Sequence, residues 1–580
     1  MKKQSRPGSR QPAPPQTWDR LDRFADRFAL FLLLFLTLVA LGLRLFDLRA
    51  DPPPDLSWSS AIYSDEAHNA YSARNWALYG RWQLDDYIPY VVYPWLNIVT
   101  GLVFKLFGIG FVQLKVVSVL AGTLLVLVVY LLARAAGNTV SGLSAALLTA
   151  CCFPLVMYSR LGLAEISQVL FLAAAGLFLT YGARHRLAAL LSGVMAWAAV
   201  LFVKVSSIFC PVAIVALLVV ETIQHRRDRA RLRSTLSQLL FWAIGALLPV
   251  ALWLGLIFLP HRADYLGYVF RHSLGAKAGH PAGIGAYLLN AFSVGAGSKL
   301  LSRMPLTALL GFLALPALSR SQGRPVSYLR YLLIAGVAML GYQYYHPDRY
   351  ELFTILPLII AFALVISQLS AGRARIAHPW PNFWGALGYG LWLWPMMGHI
   401  GIATRGFWGI LTDRTGTSLL VLALLAGLGA SFLLYGLHLA TRGGSRLTRP
   451  GLRSAAAVLL VLALGNELAR YNTWVQSRTH NMFRYSQDLA AALPPGSVTA
   501  GFWAPALLTL STQRALFVSD GWHVNLTDPV ARFGVTHLVA ADQDELRLLD
   551  SITGHRAAHG RVLRRYPVRD RELIVLELPP

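Results

Sequence analysis

Two adjacent carboxylates stand in the polar stretch Tyr63-Ser64-Asp65-Glu66-Ala67-His68, between long apolar segments of the chain. A carboxylate can take the proton of an attacking hydroxyl group, and a pair of carboxylates can also hold a divalent metal ion. The same residues could instead begin a surface helix, with Ser64 or Asp65 as its N-cap and Glu66 in the first turn, where the helix dipole favours negative charge. The spacing alone leaves both alternatives open.

Three cations form the second group of candidates, because each stands where an apolar segment begins or ends. They are Arg160, which is followed by Glu165; Lys204; and Arg349, in His346-Pro347-Asp348-Arg349-Tyr350. The planar fork of arginine suits phosphate oxygens, and an ionisable group beside the membrane interior is a functional candidate. Alternatively, Arg160 and Lys204 reach the membrane interface, and Arg349 pairs with a neighbouring carboxylate. Two carboxylates and three cations at one membrane surface suit a substrate with a phosphate headgroup and a lipid tail.

The elements that position these residues are apolar blocks. The chain has 580 residues, of which 55% are hydrophobic and only 14% charged. Its apolar blocks are long enough to cross a hydrocarbon layer of about 30 Å as helices. About thirteen transmembrane helices are predicted, at 28–43, 114–132, 140–157, 163–181, 187–202, 208–220, 236–258, 301–318, 331–345, 352–369, 383–402, 419–439 and 455–468. The three cysteines lie in or beside these blocks and predict neither a disulfide framework nor a metal site.

The formal net charge of +24 would suggest nucleic acid in a soluble protein, but here the arginines lie in short loops between apolar blocks. Basic loops stay in the cytoplasm, and all of them do so only if residues 93–111 form a surface helix and do not span the membrane. This topology predicts a disordered basic cytoplasmic tail over 1–27 and a first outer loop over 45–113. It also places a small α/β domain, residues 470–580, outside the cytoplasm, because short β-rich runs alternate there with turns and helices. We predict no nucleic-acid partner.

The order of these motifs resembles the GT-C glycosyltransferases of the protein O-mannosyltransferase and lipid A aminoarabinose-transferase group. The matching residues are Asp65-Glu66, Gly80, the surface helix from Pro94 to Phe107-Gly108, Ser159-Arg160, Lys204, and Arg349-Tyr350 followed by Pro357. Members of that group often carry a Lys-Pro-Pro-Leu stretch before the surface helix, where this chain reads Val91-Val92-Tyr93-Pro94-Trp95-Leu96. The role of that lysine therefore cannot be transferred to this chain.

The resemblance implies a mostly α, polytopic GT-C membrane fold over residues 28–469 in a bacterial plasma membrane. It also implies a polyprenyl-phosphate-linked monosaccharide as donor, a lipid, glycan or protein acceptor, and inversion at the sugar. In this interpretation Asp65 is the catalytic base, and Glu66 positions the acceptor or binds a divalent metal ion such as Mg or Mn. Arg349, Lys204 and Arg160 would bind the donor phosphate, and no organic cofactor is expected. The remaining substrate-binding candidates are His68, Glu165, Tyr345 and Tyr350.

Three other functions remain open on the sequence. A GT-C ligase or polymerase would move a whole glycan rather than one sugar. A transporter or lipid flippase would place ionisable groups near the bilayer midplane, often within internal repeats, and none is apparent. A non-catalytic scaffold would use the C-terminal domain to bind a partner. A scaffold would tolerate Asp65→Asn, whereas the transferase interpretation requires near-complete loss of activity.

Overall fold

The computed structural model describes residues 18–57, 59–267, 283–284, 287, 300, 303–320, 323–341, 347–371, 382–391, 393, 416–442 and 449–579. The α-helices are Trp18–Leu45, Asp65–Asn69, Tyr71–Tyr79, Pro94–Phe107, Phe111–Ala136, Thr139–Cys151, Phe153–Ser159, Glu165–Gly182, Arg186–Ala198, Phe209–Gln224, Arg229–Trp253, Arg262–Leu266, Pro305–Arg320, Arg324–Gly341, Ile355–Ser370, Gly416–Arg442, Arg449–Ser477, Asn481–Ala492, Ala504–Leu507, Pro529–Phe533 and Gln543–Ile552. Short 3₁₀ turns are Ser60–Tyr63, Pro89–Val91, Val205–Ile208, Asp348–Thr354 and Ala557–His559, and π-helical turns are Ala199–Val203 and Leu254–Phe258. The strands are β1 (Val498–Ala500), β2 (Arg514–Leu516), β3 (His537–Ala540), β4 (Arg561–Val568) and β5 (Arg571–Glu577).

The long helices form a bundle suited to a membrane. Within the described ranges, eight helices are long and apolar enough to cross a bilayer. A ninth candidate is the pair Thr139–Cys151 and Phe153–Ser159, which is bent by 57°. Pro154 stands in the first turn of the second helix, where its missing N–H leaves the preceding helix without a bond that would continue it. The predicted count of thirteen is not confirmed, since block 383–402 lies mostly outside the described residues.

Residues 45–113, here called loop 1, connect the first two long helices and contain a short apolar helix, Pro94–Phe107. Its 14 residues span about 21 Å, which is less than the hydrocarbon thickness of about 30 Å. One face packs against the helices Tyr71–Tyr79 and Phe111–Ala136. Leu102 and Leu106 are exposed. A helix that is too short to span and has an exposed apolar face agrees with the predicted surface helix.

The C-terminal residues form a small α/β unit, as the sequence predicts. Its five-stranded sheet has the order β2-β1-β3-β5-β4. β1 is parallel to β2 and β3, whereas β5 is antiparallel to β3 and β4. The helix Gln543–Ile552 begins after Asp542, whose carboxylate accepts the N–H of Glu545 and so caps the helix.

Polar contacts attach this unit to loop 1. Arg74 donates to the carbonyl oxygens of Ser511 at 2.6 Å and Gln513 at 2.9 Å. Arg514 donates in the opposite direction, to the carbonyl of Leu84 at 2.6 Å. Tyr71, Tyr87 and Phe517 belong to one buried aromatic cluster that spans both parts. The C-terminal unit therefore fixes the conformation of the loop that carries Asp65.

A buried carboxyl group, Asp85, lies at the centre of this contact. The hydroxyl of Tyr71 reaches both Asp85 and, at 2.6 Å, the carbonyl of Ala515. Because a hydroxyl has one proton, both contacts are satisfied when Tyr71 donates to Ala515 and a protonated Asp85 donates to Tyr71. Burial raises the pKa of Asp85 from its ordinary 3.8 to about 6, against opposing hydrogen bonds from Tyr71, Tyr87 and Asn525.

Asp85→Asn is therefore expected to stabilise the protein at neutral and alkaline pH. The amide donates to Tyr71 as the protonated acid does, and its oxygen still accepts the N–H of Tyr87. Above pH 6 the wild type carries the cost of a buried charge, roughly 3 kcal/mol for a pKa raised by about two units. As the pH falls from about 6 towards 4, the wild type binds the proton in its folded state and the difference disappears. Thermal unfolding midpoints in detergent at pH 8 and pH 4.5 would measure this effect; a variant less stable than wild type at pH 8 would contradict it.

Candidate active site

Asp65 opens a short helix and points into a buried ionic cluster. The helix Asp65–Asn69 follows the 3₁₀ turn Ser60–Tyr63, and Ser64 at its N-cap makes no side-chain capping bond. The Asp65 carboxylate instead lies 2.7 Å from Nη2 of Arg349, through its Oδ2. A capped surface helix therefore does not account for Asp65, although the helix begins where the sequence predicts.

Glu165 joins the rest of the cluster. Its Oε1 lies 2.7 Å from Nζ of Lys204 and 3.1 Å from Nε of Arg349. Glu165, Lys204 and Arg349 are all buried. Four side chains that are far apart in sequence thus form one network with two negative and two positive formal charges. The network brings together Asp65, Glu165, Lys204 and Arg349 from the predicted site residues.

Both cations occupy breaks in helices. Lys204 has an extended backbone between the π-helical turn Ala199–Val203 and the 3₁₀ turn Val205–Ile208. Arg349 lies in the 3₁₀ turn Asp348–Thr354, directly before the helix Ile355–Ser370. Breaks of this kind often mark functional sites, because they turn side chains away from the regular helix direction. Tyr350 completes the arrangement, since its ring centre lies 3.8 Å from Nζ of Lys204.

Glu66 has a different environment from its neighbour. Its Oε2 accepts the N–H of Gly162 at 3.1 Å, and its Oε1 lies 3.7 Å from Nζ of Lys115. Burial raises the pKa of Glu66, whereas Lys115 and the Gly162 N–H oppose that shift. Lys115 also donates to the carbonyl of Leu48 at 2.9 Å. Glu66 therefore ties the helix of Asp65 to two neighbouring segments of the bundle.

A metal ion has no favourable ligand set in this part of the structure. Among the residues described, no three His, Cys, Asp or Glu side chains are grouped so that they could hold an ion. Glu66 faces an ammonium group and an N–H donor, and Asp65 faces a guanidinium group. Those partners neutralise the two carboxylates without a metal ion.

His68 links the cluster to the C-terminal unit. Its Nε2 lies 2.6 Å from the carbonyl oxygen of Phe502 and must carry a proton there, because a carbonyl can only accept. Its ring packs on Phe502 and Phe517, with ring centres 4.7 and 4.6 Å apart. Its Nδ1 is 3.9 Å from Oδ1 of Asp65. His68 thus lies beside the cluster and is held by the C-terminal unit.

Arg160 is the predicted phosphate-binding residue that the structure does not bring into the cluster. Its guanidinium donates to the carbonyl oxygens of Arg44 at 3.2 Å, Phe46, and Asp47 at 2.8 Å, at the end of the helix Trp18–Leu45. It also lies 4.3 Å from the ring centre of Trp474. Carbonyls at a helix C-terminus attract a cation as phosphate oxygens do, so the sequence could not separate the two roles. Tyr345, another predicted substrate-binding residue, lies outside the described residues.

Arg160→Gln is expected to lower stability without weakening donor binding. The change removes several charge-assisted hydrogen bonds to backbone carbonyls, each contributing about 1.5–3 kcal/mol at most. We expect a clearly lower thermal unfolding midpoint, measured against Arg547→Gln, which alters an arginine that is 78% exposed. The KM for a lipid-linked donor should stay within about twofold of wild type, a free-energy change of only about 0.4 kcal/mol. A large rise in the KM for the donor at unchanged stability would contradict this and would show that Arg160 binds the donor phosphate.

Sequence analysis missed Lys115. Lys115 is buried in the apolar helix Phe111–Ala136. A lysine within an apolar segment is a functional candidate, and this signal could have identified it from the sequence. The sequence did not show that a lysine in this helix reaches Glu66 across the bundle. Lys115 belongs to the support of the Asp65 helix rather than to the ionic cluster.

Comparison with known proteins identifies the fold. Residues 91–253 match the model of the dolichyl-phosphate-mannose-protein mannosyltransferase family. The crystal structure of ArnT from Cupriavidus metallidurans in the apo state is similar over 95% of this chain and 98% of that chain, with a TM-score of 0.57 and 16% sequence identity. The structure of the same protein bound to undecaprenyl phosphate covers the same shares, with a TM-score of 0.54 and 15% identity. No curated protein matches the chain significantly by sequence. The chain therefore has the GT-C fold of membrane glycosyltransferases, and its resemblance to the protein O-mannosyltransferase and aminoarabinose-transferase group is confirmed.

Proposed function

We propose that this protein transfers a monosaccharide from a polyprenyl-phosphate-linked donor to a lipid, glycan or protein acceptor, with inversion at the anomeric carbon. The observation that carries the proposal is the direct contact between the carboxylate of Asp65 and the guanidinium of Arg349. Arg349 and a second cation, Lys204, both form ion pairs with Glu165. A base and a phosphate site are thereby adjacent, as displacement at a sugar phosphate requires. The similar ArnT structure bound to undecaprenyl phosphate supports this class of donor.

The proposed reaction is a single displacement. The acceptor hydroxyl gives its proton to Asp65 while its oxygen forms a bond to the anomeric carbon of the donor sugar. The bond between that carbon and the phosphate oxygen breaks, and its electron pair leaves with the phosphate. A phosphodiester with one negative charge thus becomes a polyprenyl monophosphate with a second developing charge. Arg349 and Lys204 would stabilise that charge, which is greater in the transition state than in the bound donor.

The ion pair between Asp65 and Arg349 suggests an order of events. In the described structure the guanidinium of Arg349 neutralises the base, so Asp65 is a poor proton acceptor. An arriving phosphate competes for Arg349 and Lys204 as a second anion, and Glu165 keeps both cations in position meanwhile. Donor binding would therefore release Asp65 for the acceptor hydroxyl. This exchange limits premature activation of water in the absence of donor.

The reaction is assigned to the extracytoplasmic side of a bacterial plasma membrane. The supporting observation is the distribution of arginines, because strongly basic loops are retained in the cytoplasm. With loop 1 outside, the C-terminal unit that packs on it is outside as well. Lipid-linked sugars supply the activated donor on that side. Cysteine accessibility labelling at Asp55, which is exposed in loop 1, would test the orientation.

The activity is tested most simply with a panel of donors. Purified protein would be incubated with polyprenyl phosphates that carry different hexoses and pentoses, together with membrane lipid, glycan and peptide acceptors, and the products identified by mass spectrometry. We expect one sugar to be moved singly, and the added mass separates this outcome from transfer of a whole glycan. Asp65→Asn is the inactive control, and Asp544→Asn, at a carboxylate that is 91% exposed, is the matched active control. Failure of every donor to be consumed would contradict the proposal.

A further inference from the structure

A cavity of about 290 Å³ lies between loop 1 and the C-terminal unit. Its volume is near the lower end of the roughly 300–1,000 Å³ that small-molecule sites occupy. Three segments of the chain form its walls, around residues 83–93, 263–267 and 522–524. None of the four charged side chains of the cluster lines it. The cavity is therefore a separate site next to the reaction centre.

The polar groups of this cavity are carboxylates, an amide and an imidazole at its exposed rim. They belong to Gln83, Asp86, Asp264 and His523. Aromatic rings form part of the wall, since Tyr87 is buried and Trp522 is half-buried, with ring centres 5.7 Å apart. Carboxylate and amide oxygens accept hydrogen bonds from hydroxyl groups, and flat rings cover the apolar face of a sugar. The carboxylate of Asp264 at the rim disfavours an anionic ligand, and a polar rim does not suit a lipid tail.

The cavity wall from the C-terminal unit is held firmly. Arg532 makes a bidentate ion pair with Asp86, at 2.8 and 2.9 Å. Asn525 accepts the N–H of Asp86 at 3.0 Å and donates to the carbonyl of Phe517 at 2.7 Å. His523 has a φ of 50°, a left-handed conformation that is rare for residues with a side chain and is often found at functional sites. The turn that presents Trp522 and His523 is therefore fixed by contacts from both sides of the cavity.

One wall of the cavity contacts the helix that begins at Asp65. The 3₁₀ turn Pro89–Val91 contributes to the cavity and packs against the helix Asp65–Asn69. Burial raises the pKa of Tyr87, and the negative charge of Asp65 adds to this shift, so the Tyr87 hydroxyl lies within electrostatic reach of the proposed base. A ligand in the cavity would thus lie near the segment that carries Asp65, while neither Arg349 nor Lys204 lines the cavity.

We propose that this cavity binds the terminal sugar of a neutral, hydroxyl-rich glycan acceptor and places one of its hydroxyl groups near Asp65. This inference rests on the proposed function and narrows its acceptor from lipid, glycan or protein to a glycan. A sugar unit could also come from the donor. The position of the cavity away from Arg349 and Lys204, which would hold the donor phosphate, assigns it to the acceptor.

Ligand-observed saturation-transfer NMR on the full chain in detergent tests the inference without turnover. The probes are methyl glycosides of common hexoses and pentoses. We expect at least one to bind to wild type, with binding weakened at least about fivefold by Trp522→Ala, the loss of one aromatic contact. Trp384→Ala, at a tryptophan that is 75% exposed, is the matched control and should bind as wild type does.

Asp264→Asn provides a second variant if Trp522→Ala fails to fold. Asp264 is exposed, and the change should weaken binding about threefold or more, through one lost charged acceptor. The glycoside should remain bound when the lipid-linked donor is added, and displacement by the donor would overturn the acceptor assignment. Glycoside binding that is absent in wild type, or unchanged in both variants, would overturn the site itself. Donor consumption in the panel experiment would meanwhile still report on the transferase activity, so the two failures are distinguishable.

Discussion

Replacing Asp65 by asparagine is expected to reduce sugar transfer by about two to four orders of magnitude, the usual contribution of a general base. Asparagine keeps the size and one oxygen of the side chain, so it can still lie against the guanidinium of Arg349. It cannot take the proton of the acceptor hydroxyl. The fall should therefore appear in kcat, measured as polyprenyl phosphate released in the presence of acceptor.

Donor binding distinguishes this effect from misfolding. In the Asp65→Asn variant residue 65 is neutral, so Arg349 loses its anionic partner at that position. Arg349 should therefore bind a donor phosphate at least as tightly as it does in wild type. The expected result is a variant that retains donor and does not consume it. Transfer at more than a tenth of the wild-type rate in a well-folded Asp65→Asn protein would remove Asp65 from the chemistry and favour a scaffold or a transporter.

Arg349→Ala is expected to have the second large effect, a loss of about 10²–10³ in kcat/KM, comparable to removing one donor from a site that stabilises developing charge. Arg349 contacts both Asp65 and Glu165. Its loss removes a cation that would bind the donor phosphate, and Lys204 is then the one remaining cation of the cluster that pairs with Glu165. Arg349→Lys should recover part of the loss, because it restores the charge but not the planar fork. Binding of polyprenyl phosphate, measured directly, should weaken in parallel.

Arg324→Ala is the matched control for that variant. Arg324 also pairs with a carboxylate, Glu221, at 2.8 Å, and both groups are largely shielded from solvent. Glu221 lies near the end of the helix Phe209–Gln224, whereas Lys204 precedes its start. Loss of this ion pair should therefore cost stability without changing donor binding. Equal loss of donor binding in both variants would show that Arg349 acts only through folding.

The sequence could predict which site residues lie on the same face of the membrane. Asp65 stands in the predicted first outer loop, Lys204 and Arg349 stand at boundaries of apolar blocks, and the positive-inside rule assigns all three to the same face. That rule also required residues 93–111 to stay out of the bilayer, and the helix Pro94–Phe107 is too short to span it. What the rule cannot supply is the partner of each cation. Arg160 has the sidedness of a phosphate ligand, yet its guanidinium is used on the carbonyls of a helix end.

Long-range contacts explain most of what the sequence left undetermined. The alternation of short strands and helices predicts an α/β unit at the C-terminus, but nothing in it indicates that Arg74 and Arg514 join it to loop 1. The bridging role of Glu165 is similar, because its sequence position suggests a partner for Arg160 and the fold gives it to Lys204 and Arg349. Such choices depend on which helix ends meet in space, and local periodicity carries no information about that.

A structure of the Asp65→Asn protein with its lipid-linked sugar donor tests the central claim most directly. We expect the phosphate to lie against Arg349 and Lys204, and the anomeric carbon to face residue 65 with room for an acceptor oxygen at about 3–3.5 Å, as a reactive geometry requires. A donor headgroup bound elsewhere, with the contacts of Arg349 to residue 65 and Glu165 unchanged, would contradict the account.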